Sequence, residues 1–229
     1  MNVAVFGARG RVGSKVVEIA QKRGHRVYGI DKKTVENVYC GENIGKISDK
    51  INEKYNFDAK IDPIDVVIDF STAEATKEVC EFCKLHHSAL VSGVTGRNDE
   101  QLRLVEQLSA VVPVIYKANF SVGVQMLHSI CQIVARELKD WDCEIVETHR
   151  KGKVDSPSGT AKSLAGEIAQ RKSFSKVTVH SLRCGSNFGC HSVVFATQGE
   201  SLTLTHQAEN VEIFAKGAIL EAEKLVNNS

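Results

Sequence analysis

Residues 147–161 read ETHRKGKVDSPSGTA. His149, Arg150, Lys151 and Lys153 bring an imidazole and several cations close together. Pro157, Ser158, Gly159 and Thr160 follow, directly ahead of apolar residues at helical spacing. A helix start offers unpaired backbone N–H groups and a dipole that attracts anions. Histidine exchanges a proton near neutral pH, and lysine can donate one. Such a stretch suits a pocket for carboxylates or phosphates with a proton source beside it. A solvated basic loop running into a plain helix cap would use the same residue types, because charge runs are usually surface.

A second stretch, VFGARGRVG at residues 5–13, has Gly7, Gly10 and Gly13 between a strand-like and a helix-like run. The G-x-G-x-x-G pattern would begin at position 8, which is Ala8, so only Gly10 and Gly13 fall in register. At such positions one glycine lets backbone approach a pyrophosphate and the other lets helix pack on strand. A structural glycine turn is the plainer alternative. Asp31 ends the next strand-like run, where an acid takes ribose hydroxyls. It favours NAD. Lys32, Lys33 and Arg11 offer cations that would offset its repulsion of a 2′-phosphate. Two small polar loops, Phe70-Ser71-Thr72 and Gly93-Val94-Thr95-Gly96, fall at carboxyl ends of expected strands, where open α/β sheets hold ligands. Either also serves as an ordinary helix cap.

These residues need a frame, and hydrophobic periodicity supplies one. Strands are expected at 2–6, 26–30, 65–70, 89–92 and 112–115. Helices are expected at 11–23, 73–86 and 99–109. Strands alternating with helices predict a Rossmann-like parallel sheet. After Asn119 the pattern changes. A helix over 122–138, a strand over 142–148 and a helix over 158–171 precede strand-like runs at 177–183, 190–197 and 201–207. A last helix covers 211–225. That order predicts a second α+β domain with a mostly antiparallel or mixed open sheet. The expected division is a dinucleotide-binding domain of residues 1–120 plus 208–229, and a substrate-binding and oligomerisation domain of 121–207.

The 229 residues carry a net charge of +1 with 42% hydrophobic side chains, which favours a packed core and gives no reason to expect nucleic acid or an anionic membrane as partner. No apolar run approaches the roughly 20 residues that span a bilayer. The N-terminal MNVAVFGARG lacks a basic region ahead of an apolar one and is not expected to be a signal peptide. A cytoplasmic protein with reduced thiols follows. Cys80 and Cys83 form a CxxC without a second ligand pair at useful spacing, so no metal site is expected. His191 and His206 lie on strand patterns and read as structural histidines.

VFGARGRVG resembles the N-terminal signature of the 4-hydroxy-tetrahydrodipicolinate reductase (dihydrodipicolinate reductase) family of lysine biosynthesis. ETHRKGKVDSPSGTA is similar to that family's E-x-H-H-x-x-K-x-D-x-P-S-G-T-A motif. IDFSTAEAT, SGVTG, ANFSVGV, SLRCGSNFGCHSVVF and FAKGAI follow the family's order across nearly the whole chain. The resemblance implies hydride transfer from NADH or NADPH to a cyclic 2,6-dicarboxylate with loss of water, in the diaminopimelate route. It implies His149 as general acid and Lys153 as second donor or substrate-orienting cation. Gly159 and Thr160 would hold a substrate carboxylate, with Arg150 as a further cation. Gly7, Arg9, Gly10, Arg11 and Val12 would line the pyrophosphate, Asp31 and Lys32 would meet the adenosine ribose, and Phe70, Gly93, Thr95, Ala118, Asn119 and Phe120 would frame the nicotinamide. A homotetramer assembled through the second domain is also implied. The chain departs from the family pattern at Arg150, which replaces the second histidine and cannot exchange a proton. It departs again at Asn210-Val211, where relatives carry serine-arginine, and in its short length. Competing readings are a nucleotide-sensing relative with altered catalysis and another NAD(P)-dependent amino-acid-pathway dehydrogenase.

Overall fold

The computed structural model describes residues 1–31, 63–171 and 177–227. The chain forms two compact units, one of Met1–Phe120 with Phe214–Ser229 and one of Ser121–Ile213.

In the first unit, β1 (Asn2–Phe6), β2 (Arg26–Ile30), β3 (Val66–Asp69), β4 (Ala89–Ser92) and β5 (Val114–Tyr116) form a parallel sheet in the order β2-β1-β3-β4-β5. Central parallel strands are covered on both faces and read as continuous apolar runs. NVAVF and VVID do so. Successive side chains point to opposite faces. Val3, Val5, Val66 and Ile68 meet α1 (Gly13–Lys22) and α6 (Glu212–Asn227), whereas Ala4, Phe6, Val67 and Leu90 meet α2 (Thr76–His86) and α3 (Asp99–Ser109). Helix α1 stops at Gly24, whose N–H reaches the Gln21 carbonyl while His25 N–H reaches Ala20. The expected helix 73–86 begins as a single 3₁₀ turn, Ala73–Ala75.

The expected strand at 112–115 lies at 114–116 instead. Val112 N–H bonds back to Leu108 in the exit turn of α3, and Pro113 has no N–H and contributes only its carbonyl, to Leu90.

In the second unit, β6 (Asp142–His149), β7 (Thr178–Arg183), β8 (Cys190–Thr197) and β9 (Glu200–Gln207) form a mixed sheet in the order β7-β6-β8-β9. The β7 and β8 strands, consecutive in the chain, are separated by β6. The reason is α5 (Gly159–Arg171), the crossover that returns β7 parallel to β6 and leaves the other edge of β6 for β8. Helices α4 (Val122–Glu137) and α5 cover one face through Leu127, Cys131, Ile145, Leu164, Ile168, Val193 and Phe195. Among the described residues no helix is long and apolar enough to cross a membrane.

Candidate functional site

The glycine turn joins β1 to α1 in the first unit. Gly7 and Ala8 donate their N–H groups to the Ile30 carbonyl at 2.9 and 3.2 Å, which ties the turn to the end of β2. Gly7 has a φ of +74°, and a Cβ there would lie 2.6 Å from the Phe70 carbonyl oxygen. Only glycine meets both demands. A Cβ on Gly13 would fall 2.0 Å from the Gly7 oxygen, so the helix starts against the turn itself. Val12 stands at the N-cap of α1 and offers no side-chain acceptor. The first N–H groups of that helix therefore receive no side-chain cap, as an anion site requires. Arg9 and Arg11 are exposed on the turn. Asp31 accepts the Arg9 N–H at 3.0 Å, which brings the acid to the same turn. Lys32 and Lys33 lie outside the described residues.

Farther along the same sheet edge, the Phe70 ring covers Gly93, where a Cβ would be 2.3 Å from a ring carbon. Phe70 and Phe120 meet edge to face at 6.0 Å. Thr95 and Ala118 are exposed and Asn119 is half-buried. Phe120 is different. Its ring is buried in the core cluster, and Gly217 of α6 presses against its carbonyl. It supports this edge from below and does not open onto it.

A buried polar cluster that the sequence did not announce holds these loops. Asp69 Oδ1 accepts the Ser71 N–H at 3.0 Å, and Asp69 Oδ2 accepts the Ser92 hydroxyl at 2.9 Å and Arg97 at 3.0 Å. Arg97 also donates to the Thr76 hydroxyl, the Val94 carbonyl and the Ser92 hydroxyl. Its guanidinium stacks 4.8 Å from the centre of the Tyr116 ring. The only sequence signal was an aspartate at the end of an apolar strand, IDF, with an arginine closing SGVTGR.

In the second unit the two-residue period of β6 puts Cys143, Ile145, Glu147 and His149 on the face covered by helices. His149 is the last residue of that strand and is buried. It does not lie in the following loop, as the sequence suggested. Glu147 is fully buried. Arg183, paired with His149 in the β6–β7 register, grips both Glu147 oxygens at 2.9 and 2.7 Å. Glu147 Oε2 also bonds His149 Nδ1, and Oε1 accepts the Ser158 N–H at 3.2 Å. Burial alone would raise the Glu147 carboxyl, but Arg183, His149 and the Ser158 N–H hold it near pKa 2. Burial pulls His149 below the ordinary imidazole value. Glu147 pushes it back up, while Lys153 and Arg183 lower it further. His149 Nε2 faces Gly189, where a Cβ would stand 2.9 Å away.

Ser158 caps α5 by accepting the Ala161 N–H at 3.2 Å, and its hydroxyl lies 3.1 Å from His191 Nε2. His191 sits opposite Glu147 across β6 and β8, with its ring edge-on to His149 at 5.2 Å. Burial drives His191 down to about 3, so it is neutral in ordinary buffers. His206 makes the equivalent contact with Ser121, the cap of α4, at 3.2 Å. Each of these histidines holds a helix cap.

Lys153 is engaged by Asp155 at 2.7 Å. Arg150 and Lys151 donate backbone N–H groups to Asn187 and Gly185, so the 184–189 loop backs the basic loop. Thr160 is buried and Gly159 half-buried at the start of α5. His149, Lys153, Gly159 and Thr160 thus share one end of one unit, joined by Glu147 and Arg183.

Family models described as the N-terminus and C-terminus of dihydrodipicolinate reductase match residues 1–120 and 123–229. The chain belongs to the dihydrodipicolinate reductase family. It is 32% identical over 228 residues to the 4-hydroxy-tetrahydrodipicolinate reductase of Thermosipho africanus, covering 99% of this chain and 92% of that one. It is 34% identical over 247 residues to the same-named protein of Nitratiruptor sp., covering 99% and 94%. The dipicolinate-bound dihydrodipicolinate reductase from Paenisporosarcina sp. TG-14 matches with a TM-score of 0.72 at 23% identity, over 99% of this chain and 95% of that one. Aspartate semialdehyde dehydrogenase II of Vibrio cholerae matches at 0.63 and 12%, over 99% and 98%. At these identities the structures speak for the fold alone.

A reductase family on a Rossmann-like sheet implies a nicotinamide cofactor. The first unit fits one, with its tight glycine turn, a helix start that no side chain caps, and Asp31 at the turn. Arg150 is half-buried, with its guanidinium folded over Gly152.

Proposed function

We propose that this reductase converts 4-hydroxy-tetrahydrodipicolinate to tetrahydrodipicolinate in the diaminopimelate route to lysine, adding a hydride and a proton as water leaves. The observation that carries the reading is His149, held by buried Glu147, at the same end of the unit as Lys153 and the start of α5. The nicotinamide supplies the hydride when bound. In our reading a substrate carboxylate displaces Asp155, which draws on the Gly159 N–H, and is held by the Gly159 and Thr160 N–H groups and the Thr160 hydroxyl. Lys153 leaves Asp155 for the substrate, and Arg150 adds a second cation. The incoming negative charge raises the proton affinity of His149. His149 then delivers the proton through Nε2, the nitrogen that faces Gly189.

On the cofactor side, Gly7, Arg9, Gly10, Arg11 and Val12 surround the pyrophosphate, and Phe70, Gly93, Thr95, Ala118 and Asn119 border the nicotinamide, with Phe120 beneath them. Asp31 suits the ribose 2′-hydroxyl of NADH, while Arg11 and Lys32 suit the 2′-phosphate of NADPH, so we expect both to serve. We further propose a cytoplasmic homotetramer that binds neither nucleic acid nor membrane. The sheet face of the second unit away from α4 and α5, carrying Glu144, His180, Leu182 and Thr203, is open and available for subunit contact.

The test is a coupled assay. The fresh condensation product of aspartate semialdehyde and pyruvate is supplied with NADH or NADPH, and cofactor oxidation is followed. Wild type should oxidise it, and His149→Ala should lose about 10²–10⁴-fold, the usual contribution of a general acid. Cofactor binding without oxidation would sink the reductase reading and favour a sensing relative. A rise in melting temperature with pyridine-2,6-dicarboxylate only when NAD(P)H is present would further support the reductase reading.

A further inference from the structure

We infer that Glu147 is a positioning residue that orients both the proton donor and the anion-binding helix, and that Arg183 moderates the charge Glu147 lends to His149. The inference rests on the reading of His149 as proton donor.

The geometry carries it. One fully buried carboxylate makes every link: Oε2 to His149 Nδ1 and to Arg183, and Oε1 to Arg183 and to the Ser158 N–H. An ionised carboxylate only accepts hydrogen bonds. His149 Nδ1 must therefore carry a proton while Glu147 is charged, and Nε2 is the nitrogen left to gain and release one. The space beside Nε2 is kept by Gly189, where any side chain would collide with it. Through Ser158, the same carboxylate fixes the first turn of α5, which presents Gly159 and Thr160. Arg183 also donates to the Asp155 carbonyl at 2.7 Å, which ties the Lys153–Asp155 loop to the same centre.

Sharing a carboxylate oxygen between a guanidinium and an imidazole is not peculiar to this site, since Glu223 does so for Arg23 and His25. Glu147 differs in being fully buried and in also holding the Ser158 N–H. The groups around His149 set the signs that a test can read. Glu147 on β6 is the anion facing it. Arg183 on β7 and Lys153 in the following loop are cations. His191 on β8 is edge-on and neutral, with His206 opposite it on β9. Glu147 favours the protonated ring and Arg183 opposes it, so neutralising each must move His149 in opposite directions.

The experiment is an NMR titration of the His149 ring, together with kcat/KM against pH, for wild type, Glu147→Gln and Arg183→Gln. Glu147→Gln should lower the His149 titration and move the high-pH fall of kcat/KM to lower pH by about one unit or more. Arg183→Gln should move both upward. Glu147→Asp keeps the charge and should recover part of the profile. Shifts of the same sign, or activity lost evenly at all pH with an unmoved titration, would reduce the pair to a structural contact and overturn the inference. Opposite NMR shifts with an unmoved rate profile would instead overturn His149 as the donor, and with it the catalytic role of Glu147. Should a variant fail to fold, the wild-type ring decides alone. Neutral His149 must show the Nδ1–H tautomer by its nitrogen shifts, and an Nε2–H tautomer would refute the positioning.

Discussion

The two units each bury a carboxylate under an arginine at a strand end, and they use it differently. In the first unit, Asp69 and Arg97 close on hydroxyls, a backbone amide and a carbonyl. Every partner is a group that keeps its protonation state, so the pair fixes loops and nothing more. In the second, Glu147 and Arg183 close on a backbone amide and an imidazole. One partner there can change charge. The lesson is that a buried ion pair becomes chemically useful through the titratable group it is left sharing, since burial itself is costly in both.

The largest effect that could break this contrast is at the first pair. Asp69→Ala strands a buried guanidinium and should cost about 3–5 kcal/mol in denaturant unfolding. The pH profile of activity should keep its shape. A loss under 1 kcal/mol would mean that the Asp69–Arg97 pair is not dry in solution. Next comes Gly189→Ala, which combines a φ of +140° with a Cβ 2.9 Å from His149 Nε2. Displacing the ring should lower kcat/KM about 10²-fold. Steady-state rates unchanged within threefold would show that Nε2 does not need that space.

His191 offers a smaller, pH-resolved effect. Its folded pKa of about 3 lies below the ordinary value, so the unfolded chain takes up a proton that the folded one refuses. Stability from this residue is full above pH 6.5 and falls as pH drops toward about 3, at about 1.4 kcal/mol per pH unit. Unfolding free energies across that window should have a shallower slope in His191→Gln. An identical slope would show that His191 is not held neutral. The smallest effect is a control. Asn98 and Gln101 close the start of α3 with a reciprocal capping box, unlike α1. Asn98→Ala should cost about 1 kcal/mol in melting experiments and leave the KM for cofactor where it was. A weakened cofactor would show that α3 takes part in holding it.

Much was legible in advance. The apolar runs 2–6, 26–30 and 89–92 are strands with those limits, because parallel strands buried on both faces need continuous apolar sequence. Helix 99–109 carries its own cap, Asn98, next to its first turn. The motif residues His149, Lys153, Gly159 and Thr160 lie in one short segment, so a local reading could group them. The partners of that segment were not legible. Glu147 reads as one more charge in a charged run, and Arg183 lies 36 residues away on another strand. Asp69 and Arg97 are separated by 28 residues and a helix. The order β7-β6-β8-β9 was likewise not legible, because it depends on the α5 crossover placing β7 and β8 on opposite edges of β6.

The sequence by itself determined the elements, the family and the segment that carries the chemistry, because period, turn residues and motifs are local properties of a chain. Only the tertiary structure decided which charges are buried, which nitrogen of His149 is bound and which serines His191 and His206 hold. Those facts depend on strand order and register, which bring together residues that no local pattern links, and a charge stays in a core only where that register supplies its partner.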